Sequence, residues 1–152
     1  MLGAQLARRL VEAGSQVRLL LRSRPHPLLE GLPVQVQPGD LESPAEVERA
    51  TRGCQVVFHA AGLVSHRRAD RAALYRSNVL ATRYVIQAAG ECGVERLVYT
   101  SSTAAVGWSA QPERILDETG IGDDELRRVP MRGPSVWERT RSSPGCARAS
   151  TR

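Results

Sequence analysis

Three segments of the chain show helical periodicity. In residues 2–13, leucine and valine recur every three or four positions with charged residues between them, and Gly14 follows as a stop. A second helix begins at residues 43–44, with serine as the cap and proline at the first helical position, and it ends near Gly53. The longest pattern covers residues 72–90 and ends before Gly93.

Short apolar runs lie between these helices and predict four strands, at residues 16–21, 34–36, 55–60 and 96–100. Strands that alternate with helices, and that are apolar throughout rather than at every second position, are typical of a parallel sheet covered on both faces. The pattern therefore predicts a doubly wound α/β fold.

The composition is that of one folded domain. The 152 residues are 41% hydrophobic and 24% charged, and no run approaches the roughly 20 apolar residues that span a bilayer. The first residues lack the basic segment and apolar run of a signal peptide, so we expect a cytoplasmic protein. Three widely spaced cysteines predict neither a disulfide framework nor a metal site.

The net charge of +5 lies mainly in residues 131–152, which carry five arginines against one glutamate. Residues 1–130 carry sixteen arginines against fifteen acids, so no basic face and no nucleic-acid partner is expected of them. Salt-sensitive DNA binding through the arginine-rich tail is the alternative. All 21 basic residues are arginine, and the chain contains no lysine.

Small, acidic and hydroxyl residues follow the predicted strands, at the edge where open α/β sheets bind ligands. The segments are Gly39-Asp40-Leu41, Ala60-Ala61-Gly62, Asn78-Val79-Leu80-Ala81-Thr82 in the long helix, and Thr100-Ser101-Ser102. In this order they resemble the extended short-chain dehydrogenases/reductases, a family of sugar epimerases, dihydroflavonol reductases and 3β-hydroxysteroid dehydrogenases. The resemblance runs from Leu2 to about Pro130.

The resemblance implies a Rossmann domain that binds NAD(P). In that family the first strand leads into a Gly-x-x-Gly-x-x-Gly turn that receives the pyrophosphate, and Gly3 matches the last of these glycines. The other two glycines and the first strand have no counterpart here. We therefore expect residues 1–130 to form an incomplete domain, lacking the first strand and the C-terminal substrate region, with weak dinucleotide binding.

The resemblance also assigns the adenosine end of the cofactor. Arg22 occupies the position beside the ribose, where arginine pairs with a 2′-phosphate, so NADP is favoured and NAD remains possible. An arginine in an exposed loop is the alternative. Asp40 and Leu41 match the pair beside the adenine.

Further cofactor contacts are implied on the other loops. Ala60, Ala61 and Gly62 match small residues that let the backbone lie against the cofactor, and Thr100 lies at the end of the last strand beside it. Asn78 matches an asparagine that orients the active-site end of its helix. His59 is expected to have a structural role in packing rather than to act as a base.

Ser102 aligns best with the family's catalytic serine, which hydrogen-bonds the substrate oxygen, and Ser101 or Thr103 are the alternatives. The family chemistry also needs a tyrosine and, four positions later, a lysine that lowers the tyrosine's pKa. The chain has no lysine, and its tyrosines all precede Ser102. We therefore expect the cofactor-binding part of an oxidoreductase or epimerase acting on a small-molecule carbonyl or alcohol, inactive as written. A non-catalytic nucleotide-binding or regulatory protein is the alternative.

Residues 131–152 have no apolar periodicity, and we predict a disordered tail translated from a shifted reading frame. A natural disordered arginine-rich tail is the alternative, and it would leave the missing tyrosine and lysine unexplained. Codons for residues 131–137, read one base earlier, can encode Tyr-Ala-Arg-Ser-Lys-Arg-Leu, which contains the missing tyrosine and lysine at the required spacing. Sequencing the DNA across the junction of Pro130 and Met131 checks this. An unshifted frame in independent isolates that share the tail would refute it.

Overall fold

A computed structural model describes residues 2–23 and 25–102. In chain order the elements are α1 (Leu2–Glu12), β1 (Val17–Leu21), β2 (Val34–Pro38), α2 (Pro44–Thr51), β3 (Val56–His59), α3 (Arg71–Tyr75), a π-helical turn (Arg76–Leu80), α4 (Ala81–Glu91) and β4 (Arg96–Tyr99). Each predicted helix and strand is therefore confirmed, except that the long helix is interrupted by the π-helical turn. The alternative serine-loop residue Thr103 and the predicted tail at residues 131–152 lie outside the described residues.

Glycines end the first two helices, as the sequence predicts. Gly14, after α1, has a φ of 80°, and Gly53, after α2, has a φ of 76°. Side chains with a Cβ rarely adopt this left-handed conformation, so glycine is the residue that lets the chain turn sharply toward the next strand.

The strands form two parallel pairs. Strand β1 pairs with β2, from Val17 opposite Val34 to Leu21 opposite Pro38. Strand β3 pairs with β4 over its whole length. Within residues 2–23 and 25–102, β1 and β3 are not hydrogen-bonded to each other. The parallel pairing is confirmed, and the four described strands form two sheets of two strands each.

Helices cover both faces of β1, whereas β3 and β4 are covered on one face and expose Val56, Phe58 and Val98 on the other. Ala4 and Ala7 of α1 form a buried cluster against which Leu19 of β1 packs. The next residue of β1, Leu20, packs instead on the cluster formed by α2 and α4. Because successive side chains of a strand point to opposite faces, α1 lies on one face of β1 and α2 and α4 lie on the other. The predicted doubly wound arrangement is confirmed.

The cluster between α2 and α4 is the core that holds both sheets. Its buried members are Val47, Val85 and Ala88, and the partly buried residues packed on it are Leu20, Leu41, Val57, Tyr84 and Leu97. These include side chains from β1, β3 and β4. The two sheets therefore share one apolar layer although they share no ladder.

The described residues belong to two compact units. Residues 2–64 and 73–100 form the first, which holds both sheets, and residues 65–72 and 101–102 belong to the second. In the second unit the Ser65 hydroxyl donates to the Asp70 carboxylate at 2.6 Å and accepts from the backbone N–H of Arg67 at 3.2 Å. Among the described residues, no helix is long and apolar enough to cross a membrane.

We predict that Val47→Ala lowers the free energy of unfolding by about 1.5–3 kcal/mol, because it empties a site in the shared core. Val47 is 2% exposed, whereas Val64 is 82% exposed. The matched substitution Val64→Ala should change the free energy by less than about 0.5 kcal/mol. Urea unfolding of the two variants and the parent measures the difference, and equal losses would contradict this account of the core.

Candidate functional site

The N-terminus of α1 lies against the carboxyl end of β3. A Cβ atom placed on Gly3 would be 3.9 Å from the Cβ of Ala60, an ordinary van der Waals distance. The first backbone N–H groups of a helix have no partner within the helix and favour negative charge. This places the predicted anion-binding end of α1 beside the first small residue of the loop that follows β3.

The loop Ala60-Ala61-Gly62 is anchored at both ends to the helix that follows it. On one side, the Asn78 side chain accepts from the backbone N–H of Leu63 and donates to its carbonyl, both at 2.8 Å. On the other side, the His59 ring is 2.9 Å from the hydroxyl of Thr82. Three residues without long side chains are thus held between two fixed points, with Ala61 and Gly62 exposed.

His59 is a buried structural residue. It is 4% exposed, and its ring stacks on that of Tyr99 with centroids 5.3 Å apart. The Thr82 hydroxyl donates its single proton to the carbonyl of Asn78 at 2.8 Å, so the proton shared with His59 belongs to Nε2 of the ring. Burial lowers the pKa of His59 below its ordinary value, which favours the neutral ring. The expected packing role is confirmed.

Asn78 lies within the π-helical turn Arg76–Leu80, where the N–H of Ala81 bonds to the carbonyl of Arg76, five residues back. A π-helical turn inserts one extra residue into a helix and often marks a functional site. Within this turn, the carbonyl of Asn78 accepts a hydrogen bond from the Thr82 hydroxyl at 2.8 Å. The periodicity of the long helix gave no sign of this turn.

The loops after β1 and β2 bring Arg22 and Asp40 together. The guanidinium Nη1 of Arg22 lies 3.9 Å from Oδ2 of Asp40, and the two side chains are 67% and 40% exposed. The backbone N–H of Asp40 donates to the carboxylate of Glu46, in the first turn of α2, at 2.6 Å. A Cβ on Gly39 would lie 2.7 Å from Cδ1 of Leu20 and 3.3 Å from Cβ of Glu46, so a larger residue before Asp40 would have to displace these side chains. The Asp40 loop is therefore tightly packed against α2.

Leu41 is placed differently from Asp40. Its side chain packs on the cluster between α2 and α4. In this position its apolar side chain stabilises the core, while its backbone remains part of the loop that presents Asp40.

Two residues that hold the loops of the site were not identified from the sequence. They are Glu46, which bonds to the Asp40 loop, and Thr82, which bonds to His59. Thr82 could have been found, because it is the last residue of the Asn78 motif.

Thr100 continues the ladder between the last two strands, since its backbone N–H donates to the carbonyl of His59 at 3.0 Å, and its side chain is exposed. Ser102 follows two positions later and belongs to the second unit, so its catalytic role stays a prediction. Among the described residues, no cluster of histidine, cysteine, aspartate and glutamate could hold a metal ion.

Comparison with known sequences gives a family match over most of the chain. The sequence model of the NAD dependent epimerase/dehydratase family matches residues 1–127. A protein of Synechocystis sp. assigned as a dihydroflavonol 4-reductase is 45% identical over 113 residues, which are 74% of this chain and 33% of that protein. Sterol demethylase protein B of Methylococcus capsulatus is 34% identical over 142 residues, which are 93% of this chain and 41% of that protein. This second alignment extends into residues 131–152, for which we expected a shifted reading frame.

Solved structures agree with the predicted fold. A short-chain dehydrogenase/reductase superfamily protein from Agrobacterium tumefaciens, crystallised with bound NAD, matches with a TM-score of 0.62 and 28% identity, covering 70% of this chain and 31% of that one. The chain spans 31–41% of the length of these three proteins. The predicted Rossmann-type α/β architecture is confirmed.

The lowered pKa of His59 predicts that stability depends on pH. The ordinary value is 6.5, and the folded protein holds the pKa lower, so the unfolded chain takes up this proton first as the pH falls. The contribution to the free energy of unfolding is therefore present above about pH 6.5 and is lost as the pH falls toward the folded pKa. His59→Gln retains an N–H donor for Thr82 but does not titrate, and it should remove this part of the slope.

Urea unfolding of the parent and the variant at about pH 7.5 and about pH 5 measures this effect. His66→Gln is the control, because His66 is exposed. A His59→Gln protein with the parent's full pH slope would show that other groups cause the dependence.

Proposed function

The chain belongs to the NAD dependent epimerase/dehydratase family, and we propose that residues 2–100 bind the dinucleotide of an NAD(P)-dependent oxidoreductase or epimerase. One observation carries this proposal: the N-terminus of α1 meets the anchored small-residue loop after β3. The chain spans about a third of the length of the first of its relatives, and we propose that the whole protein shares the type of reaction of this family.

The pyrophosphate would lie at the N-terminus of α1. The free backbone N–H groups there donate to phosphate oxygens, and the helix dipole favours their negative charge. Gly3 has room for a close approach, and Ala60, Ala61 and Gly62 offer backbone without side chains that would keep the cofactor away. The residues present therefore fit a dinucleotide.

Arg22 and Asp40 would hold the adenosine. The guanidinium of Arg22 is exposed and its ion pair with Asp40 is long, so the pair contributes little stability and Arg22 can turn toward a ligand. Arginine pairs with a phosphate through two parallel hydrogen bonds, and a ribose 2′-phosphate is the group that distinguishes NADP from NAD. The Asp40 carboxylate can accept from the adenine amine. We therefore favour NADP, with NAD as the alternative.

When bound, the reduced cofactor would donate a hydride to a carbon atom of the substrate, and the oxidised cofactor would accept one from it. The hydroxyl of Ser102 would hydrogen-bond the oxygen on that carbon and hold the carbonyl or alcohol in place. The names of the relatives, a dihydroflavonol reductase and a sterol demethylase protein, support a small carbonyl or alcohol substrate such as a flavonol-like or steroid molecule. A sugar-nucleotide substrate is the further candidate, because the matching family includes epimerases.

We further propose that these 152 residues do not catalyse this reaction by themselves. The chain contains no lysine, so it has no tyrosine and lysine pair to transfer the substrate's proton. A non-catalytic nucleotide-binding protein is the second candidate, and the same lack of lysine favours it. Activity with a carbonyl substrate after the alternative frame is restored beyond Pro130 supports the enzyme. Dinucleotide binding without turnover in the full-length protein that contains this chain supports the binding protein.

The substitution Arg22→Gln tests whether the site prefers NADP over NAD. We predict that it weakens NADPH binding by roughly tenfold or more, since a charge-assisted hydrogen bond contributes about 1.5–3 kcal/mol, while NADH binding changes little. Titration of the isotope-labelled 152-residue chain, followed by amide chemical shifts, measures even weak binding. The shifts should concentrate at Arg22, Asp40 and residues 60–62.

Arg83→Gln is the matched control, because Arg83 is an exposed arginine on α4. It should leave both affinities unchanged. Equal losses for NADPH and NADH in Arg22→Gln would contradict recognition of the 2′-phosphate. Shifts confined to other residues would contradict the proposed site.

A further inference from the structure

The carboxylate of Glu42 connects the loop after β2 to the π-helical turn. Its Oε2 accepts from the guanidinium Nε of Arg76 at 3.1 Å, and its Oε1 accepts from the hydroxyl of Ser77 at 2.9 Å. The backbone N–H of Glu42 also donates to the carboxylate of Asp40 at 2.9 Å. Glu42 therefore holds the Asp40 loop with its backbone and the π-helical turn with its side chain.

The adjacent residue of the same turn holds the other loop. Ser77 bonds to Glu42, whereas Asn78 brackets the backbone of Leu63 at the end of the loop after β3. One turn of helix thus carries neighbouring attachments to both loops to which we assign the cofactor.

We infer that Glu42 and Ser77 are positioning residues of the dinucleotide site, which hold the π-helical turn in the register that fixes both loops. This inference rests on the proposed function. If the turn relaxed to a regular α-helix, the residues on one side of it would rotate by roughly 100° about the helix axis relative to those on the other, and Ser77 and Asn78 would no longer face Glu42 and Leu63 together. The bonds from Glu42 oppose that change and preorganise the site before the cofactor arrives.

The contact between Glu42 and the π-helical turn is partly buried, unlike an ion pair that lies fully in solvent. The side chain of Glu42 is 30% exposed, that of Arg76 is 53% exposed, and Ser77 is half-buried. The pair between Glu48 and Arg52 on α2 is a local contact within one helix, with exposures of 42% and 74%. That pair connects no loops, so it provides a matched control for the loss of a glutamate.

The test is amide hydrogen exchange of the 152-residue chain without ligand. In Ser77→Ala and Glu42→Ala, the N–H of Leu63 should exchange roughly tenfold faster, although neither substitution touches Leu63. The N–H of Val85 in α4 should keep its rate. Ser77→Thr retains the hydroxyl and should restore slow exchange at Leu63, which a loss of packing alone would not predict. Glu48→Ala should leave Leu63 unchanged.

An unchanged rate at Leu63 in both alanine variants would overturn the inference, and so would a uniform increase at Leu63 and Val85, because that marks general destabilisation. NADPH titration separates this inference from the proposed function. Weaker binding in Ser77→Ala but not in Glu48→Ala supports both. No binding to the parent chain, together with a selective change at Leu63, overturns the proposed function and supports the coupling of the two loops.

Discussion

The two hydrogen bonds between the Asn78 side chain and the backbone of Leu63 determine the shape of the candidate site. A side-chain amide has one donor group and one acceptor, and the backbone of a single residue offers the complementary pair, so the contact fixes both position and orientation. At the opposite end of the loop, Thr82 connects His59 to the carbonyl of Asn78. The loop after β3 is thus determined by bonds to one helix rather than by its own sequence, which consists of small residues.

Helix α2 supports the other half of the site in a comparable way. Glu46 faces the loop and accepts from the backbone of Asp40, while its neighbour Val47 is buried in the core between α2 and α4. Adjacent residues of one helix therefore connect the packing of the interior to the loop that carries Asp40. The side chains of Leu20 and Glu46 lie close to Gly39, so the loop follows the surface of α2 closely.

Much of this architecture could be predicted from the sequence, because it depends on burial. The apolar runs at 16–21 and 55–60 and the periodicity of residues 2–13 are direct consequences of which side chains face the interior. The parallel pairing follows from the alternation of strands and helices. The motif residues Asp40, Gly62 and Asn78 were recognised because their order resembles a known family.

The remaining features depend on contacts that leave no local pattern. A π-helical turn inserts a single residue, and apolar residues are so frequent in residues 72–90 that the resulting break in phase is not visible, so the sequence predicts one continuous helix. In the sequence, Glu42 does not differ from other acidic residues in loops, and only the fold brings it to Ser77, thirty-five positions later.

The division into two sheets has a physical consequence for the isolated chain. Within the described residues, β1 and β3 each pair on one side only, and Val56 and Phe58 of β3 are 41% and 39% exposed. Open edges of this kind are templates for strands of other molecules, so self-association of the purified chain should increase with protein concentration.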